Sequence, residues 1–108
     1  MAMVVGNAAD ATKEAAAADY PQIRLLQIAR KAVDTPQADC ETRGWLRCSP
    51  KTVRGFSATG YYFGRYIHQH TNVPVGLICS AWGGTSVEAW TEAKALATVP
   101  SGKTLVSL

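Results

Sequence analysis

The apolar positions gather in three patches, each with its own period. Val75 to Ala81 is a short, charge-free and nearly continuous apolar run, the pattern of a strand buried on both faces of a parallel sheet. Ile23 to Ala29, I-R-L-L-Q-I-A, alternates imperfectly with a bias to β-favouring residues and predicts a second sheet strand. Between them, Phe56 to His70 returns to helical spacing, with Phe56, Thr59/Gly60, Phe63 and Ile67 forming one stripe and Arg65, His68 and Gln69 spread over the remainder. Ser57 falls in the cap region, and Ala58, Gly60 and Gly64 are small enough to let such a helix lie close to a sheet. Asn72-Val73-Pro74 closes the helix. The order strand, excursion, helix, strand is a βαβ unit, expected to be right-handed.

The flanking segments are polar or irregular. Asn7 to Asp19 is alanine-rich and predicts a short helix with Asp10 or Thr12 as its N-cap, ended by Tyr20-Pro21 because the residue before proline is pushed out of the helical region. Lys31 to Arg54 holds two prolines, two cysteines and many polar residues, and reads as an excursion from the core. Within it, Trp45 to Cys48 fits a brief edge strand and Ser49 to Thr52 a turn. After Ala81 the chain breaks into Trp82-Gly83-Gly84-Thr85. Thr85 or Ser86 can cap a helix beginning there, and Glu88 stands three residues beyond Thr85 at capping-box spacing. The segment predicts strand, tight turn and helix, with the turn at the carboxyl end of the strand, where open α/β sheets place their ligands.

Composition narrows the function classes. The chain has 108 residues, 47% hydrophobic and 18% charged, typical of one globular domain or part of one. Its net charge of +3 is scattered, with no basic tract of the kind that follows a phosphate backbone, so nucleic-acid binding is not expected. No apolar run approaches the roughly 20 residues that span a bilayer, so no membrane partner is expected either. The cysteines and histidines lack metal-site spacing, which predicts no metal, and no G-x-G-x-x-G or G-x-x-x-x-G-K-[ST] follows either strand, which predicts no cofactor and disfavours a nucleotide-binding domain. Cys79 lies in the buried strand, whereas Cys40 and Cys48 either close a short disulfide loop or stay free.

Two sets of residues invite a chemical reading. The Gly83-Gly84 turn either presents backbone amides to a developing oxyanion or is a plain strand-to-helix turn. His68 and His70 could be assembled with Ser57, Ser80 or Ser86 into a triad, but they sit on the tail of an amphipathic helix, and none of the serines has the G-x-S-x-G setting of a nucleophile elbow. A triad within this chain is therefore not expected. Trp82 and Trp90 bracket the turn; Trp90 fits packing, while Trp82 fits either packing or a flat face for a sugar ring. Arg24 and Arg65 have surface salt bridges as their default role.

The block Ser80-x-Trp82-Gly83-Gly84-Thr85-x-x-Glu88-Ala89-Trp90 resembles the segment after the third strand in the sialate O-acetylesterase family, a branch of the SGNH ester hydrolases. Ala18 to Arg24, Trp45 to Pro50 and Phe56 to Arg65 are similar to the same family in order and spacing. The resemblance implies a partial flavodoxin-like (SGNH hydrolase) three-layer α/β/α sandwich, one incomplete domain spanning 1–108, with parallel strands at about 23–29 and 75–81. It implies an O-acetylated carbohydrate substrate and a serine acyl-enzyme mechanism, with Gly84 or Gly83 donating an N–H to the oxyanion hole and Trp82 and Thr85 on the substrate side. The alternative is a non-catalytic sugar-binding or interaction fragment. Family members also carry a G-Q-S-N-M nucleophile block, whose last residue falls at Met1, and a later Asp-x-x-His block; the expectation is a segment lying between the two, inactive by itself. In a sheet ordered 2-1-3-4-5 the two strands would stand about 10 Å apart in the parent, with the first strand between them. In the separate chain they would pair directly or leave a marginally stable gap.

Overall fold

The computed structural model describes residues 1–107. After a 3-10 turn at Val5–Asn7 come α1 (Ala11–Ala16), β1 (Tyr20–Gln27), β2 (Leu46–Cys48), α2 (Pro50–Val53), α3 (Ala58–Thr71) and β3 (Val75–Cys79). A second 3-10 turn, Val87–Trp90, is followed by α4 (Ala93–Leu96) and α5 (Pro100–Val106). The strands form one mixed sheet in the order β2-β1-β3.

β1 and β3 pair directly and in parallel, from Ile23 opposite Val75 to Gln27 opposite Cys79. The two predicted strands are thus direct neighbours, without the intervening gap expected of the parent sheet. β2 runs antiparallel along the other edge of β1, and its register slips between Tyr20 and Arg24. Pro21 lies inside that slip and has no N–H for the ladder, so the irregularity falls where proline is tolerated in a strand.

The core occupies one face of this sheet. Ile23 and Leu25 of β1 and Leu77 and Cys79 of β3 point toward α3, where Ala58, Tyr61 and Gly64 are buried against them, and Val5, Val53, Phe56 and Cys48 close the cluster. The other face is open: Ile78 is 60% exposed, and Trp45 from the excursion lies across Gly76. β3 is therefore buried on one face rather than both, since no helix covers Gly76 and Ile78 among the described residues.

The contact face of α3 is also rotated from the expected stripe. Phe63 is 63% exposed, while Tyr61 and Gly64 face the sheet. A Cβ at Gly64 would come within 2.5 Å of Leu77 Cδ1, so this helix approaches β3 through a missing side chain rather than a large one. Ser57 caps α3 by accepting from the Gly60 N–H at 3.1 Å, and Asn72 ends it in the left-handed conformation at φ 55°.

Elsewhere the local chemistry departs from expectation in small ways. Ser49 to Thr52 begins a helical turn, closed by a capping box between Ser49 and Thr52. α1 is shorter than Asn7 to Asp19, and Asp10 precedes it in a left-handed conformation without a side-chain cap bond. Cys48 is fully buried and Cys40 exposed, and both are free thiols, so the excursion is not closed by a disulfide. Arg65 ties α3 to α1 through a 2.6 Å ion pair with Glu14 and lies over the rings of Tyr61 and Tyr62. Arg24 makes no ion pair among the described residues; its guanidinium donates to the Pro21 carbonyl.

Candidate functional site

The carboxyl ends of β1 and β3 lie side by side, and the chain leaves β3 there into Trp82-Gly83-Gly84-Thr85. Gly84 adopts φ +80°, a conformation only glycine reaches without strain, in the third position of a tight turn. Such a turn is ordinarily closed by the N–H of its fourth residue. Here the side chain of Thr85 reinforces that closure, its hydroxyl donating to the same Trp82 carbonyl at 2.6 Å. The N–H groups of Gly83 and Gly84, inside the turn, donate to no other group among the described residues. Two successive free amides at the end of a parallel strand can receive an anion or a developing oxyanion.

The helix expected after the turn is a 3-10 turn, with Ser86 at its N-cap position and no side-chain cap bond from either Ser86 or Thr85. The capping-box spacing of Thr85 and Glu88 is not used. Thr85 instead accepts a 2.8 Å hydrogen bond from the Trp90 indole N–H. Glu88 is exposed, and a hydrogen bond from Ser86 holds its carboxyl below the usual range.

Around the turn the surface is concave. A recess of about 100 Å³ is walled by Trp82, Trp90 and Ser80 on one side and Ala29, Arg30 and Lys31 on the other. It adjoins a groove of about 350 Å³ that runs between the ends of β1 and β3 and the first residues of the chain, with Met1, Ala2 and Ser57 in its wall. A wider hollow, about 750 Å³, lies beneath the excursion between Arg43, Gly44 and Phe56. It meets the groove at Gln27, Ala29 and Gly55 but does not reach the glycines. The free amides rather than the volume mark the site. Trp82 is 39% and Trp90 51% exposed, so neither is packed away in the core.

The other sequence candidates are not brought together. His68 donates from Nδ1–H to the Val73 carbonyl, edge-on to Tyr20, and His70 stacks on Tyr66. Both lie at the end of α3 that precedes β3, the opposite end of the sheet from the glycines. Ser57 is 2% exposed and engaged as a helix cap. Sequence reasoning missed the hydrogen bonds of Thr85 and Trp90, whose only signal was a threonine and a tryptophan five residues apart around two glycines.

No family model matches the chain. In backbone it is similar to part of a solved carbohydrate acetylesterase from Xanthomonas citri, with a TM-score of 0.85 and 32% identity over 90% of this chain and 22% of that one. The fold is therefore that of part of a carbohydrate esterase domain. In sequence the similarity is to sialate O-acetylesterases, the family whose motif block surrounds Gly83 and Gly84. That of Mus musculus is 32% identical over 106 residues, that of Rattus norvegicus 31% over 106 and that of Homo sapiens 29% over 107, each match taking in 89% of this chain. The chain spans about a fifth of the length of these relatives.

Proposed function

We propose that this chain is a segment of one carbohydrate O-acetylesterase domain and that its part in the reaction is the oxyanion turn. In a serine esterase the hydroxyl attacks the acetyl carbonyl, a histidine takes the proton and returns it to the departing sugar oxygen, and water then releases acetate from the acyl-enzyme. Each attack places a negative charge on the former carbonyl oxygen. Donors already aimed at that point stabilise it without reorganising, and a rigid turn with free amides is such a donor set.

One observation supports the reading above the others: the first residues of the chain lie against the turn. A Cβ placed on Gly83 would stand 3.9 Å from Ala2 Cβ, and Met1 and Ala2 wall the adjoining groove. In the family pattern the nucleophile stands two positions ahead of the residue matching Met1, a reach of roughly 7 Å along extended chain. A serine so placed is within range of the Gly83 and Gly84 amides. Trp82, exposed beside the turn, serves as a flat face for the sugar, and Thr85 acts on the substrate side by holding the turn, since its hydroxyl is occupied by Trp82 and Trp90. Among the described residues no histidine stands near a serine at this end of the sheet, so these residues alone do not complete the machinery.

The test uses a catalytically complete chain carrying this segment. Gly84→Pro removes one N–H and, because proline fixes φ near −65°, also breaks the turn; Gly83→Pro removes the neighbouring N–H at a position that accepts proline. With Gly84 as the donor, Gly84→Pro lowers kcat by roughly 10² to 10³ while Gly83→Pro stays within a few-fold. The reverse result moves the donor to Gly83. Full kcat in both folded variants defeats the reading.

A further inference from the structure

We propose that Thr85 and Trp90 are the positioning residues of the Gly83-Gly84 turn, a linked pair that holds its amides free and fixed; the inference rests on the oxyanion reading above. The direction of the two hydrogen bonds is determined by chemistry. An indole N–H donates only, so the Thr85 hydroxyl must accept from Trp90 at 2.8 Å and direct its own proton to the Trp82 carbonyl at 2.6 Å. That order matters because the Trp82 carbonyl is also the acceptor that closes a tight turn from its fourth residue. With the Thr85 hydroxyl on the same carbonyl the turn is clamped from backbone and side chain together, and the Gly83 and Gly84 N–H groups within it stay unused.

Among the described residues no other side-chain hydrogen bond reaches the turn. Beyond Ala81 no side chain belongs to the core cluster, and the glycines have no side chains with which to anchor themselves. Gly83 and Gly84 are the residues with the most conformational freedom to lose, and Gly84 is held at φ +80°. Trp90 also lines the recess that Arg30 and Lys31 share, so the bonded pair stands at the edge of the loop that follows β1. Trp90, read from the sequence as a packing residue, is half exposed, and its indole N–H makes a single hydrogen bond, to Thr85.

The experiment is nuclear magnetic resonance on the ¹⁵N-labelled 108-residue chain. The Trp90 indole N–H is expected to exchange with water roughly fivefold more slowly than that of Trp45, which has no partner among the described residues. Thr85→Val, which keeps shape but loses both hydrogen bonds, abolishes that difference and lowers the heteronuclear NOE of Gly83 and Gly84, while Thr85→Ser retains both signatures. The amide shifts of Leu25 and Leu77 report that the core is intact. Should Thr85→Val disturb them, Trp90→Phe, which removes only the donor, gives the decisive comparison. Equal exchange of the Trp90 and Trp45 indoles, or a Gly84 NOE unchanged by loss of the hydroxyl and of the indole donor, overturns the proposal. If instead the pair behaves as described while the glycine prolines leave kcat intact, the oxyanion reading falls and the lock stands.

Discussion

Placing a methyl group at Gly64 tests the packing that aligns β3, and through it the turn. A Cβ there would lie 2.5, 2.7 and 2.9 Å from Leu77 Cδ1, Cδ2 and Cγ, whereas carbon atoms in contact settle at about 3.5 to 4.0 Å. Leu77 is 8% exposed and hemmed in by the core, so it yields only by moving its neighbours; overpacking of this kind costs about 1 to 3 kcal/mol. Helix propensity acts the other way, favouring alanine over glycine by roughly 1 kcal/mol. Gly60→Ala on the same helix is the control, because a Cβ there meets Phe56 Cε2 at 3.3 Å, which asks that ring to give by a few tenths of an ångström, and Ser57 atoms at an ordinary 3.5 Å. The propensity gain largely cancels between the two variants. Gly64→Ala is therefore expected to be less stable than Gly60→Ala by about 1 to 3 kcal/mol. Urea unfolding followed by circular dichroism measures this as a lower midpoint at unchanged slope. Adding Leu77→Ala to Gly64→Ala should cost less than the sum of the single changes, with a coupling of about 1 kcal/mol or more. Equal stability of the two glycine variants, or strict additivity with Leu77→Ala, refutes the close-approach argument.

Alkaline pH should unfold the chain through two buried groups. Burial, with Asp19 nearby, pushes the Cys48 thiol from 9.0 up to about 11, and burial pushes the unpartnered Tyr61 hydroxyl from 10.0 up to about 12 against the opposing pull of Arg65. The unfolded chain loses these protons first, so the stability is present in full below pH 9 and falls as pH rises through 11, by up to about 1.4 kcal/mol per unit for each group. Cys48→Ala should flatten the first part of that decline in a pH series of urea melts. The 108-residue chain should hydrolyse p-nitrophenyl acetate no faster than a scrambled control, and saturable turnover abolished by Ser57→Ala, Ser80→Ala or Ser86→Ala would contradict this.

How far each element could be read in advance depends on how strongly its residues constrain their surroundings. The charge-free run at Val75 and the β-favouring stretch at Ile23 could hardly be anything but strands, and Ser57 marks the start of α3 because few residues cap as well. The rotation of α3 was hidden because periodicity weights large apolar residues, while the contact was made by Gly64 and Tyr61, leaving Phe63 in solvent. Direct pairing of β1 with β3 was one of the two arrangements left open for the separate chain, since local sequence names strands but does not choose their neighbours. At the site the glycines were legible from their unique backbone freedom. The hydrogen bonds of Thr85 were not: threonine before an acidic residue fits a helix cap equally well, and only the 3-10 geometry brings Trp90 back to the hydroxyl.

The chain has a radius of gyration of 17.0 Å, against about 13 Å for a compact domain of this length. The residues beyond Ala81 contribute no side chain to the core cluster. Such a chain is expected to open locally beyond Ala81 before the sheet unfolds. A melt followed by the near-ultraviolet signal of the buried Tyr61 reports the core and is blind to the turn, so a substitution at Thr85 is expected to leave that melting temperature untouched while loosening the turn. Conversely, an anion captured by the free amides stabilises only the residues around the turn, and its binding would be seen in hydrogen exchange around Gly84 before any change in global stability. Order at the turn and survival of the fold are thus expected to answer to different measurements.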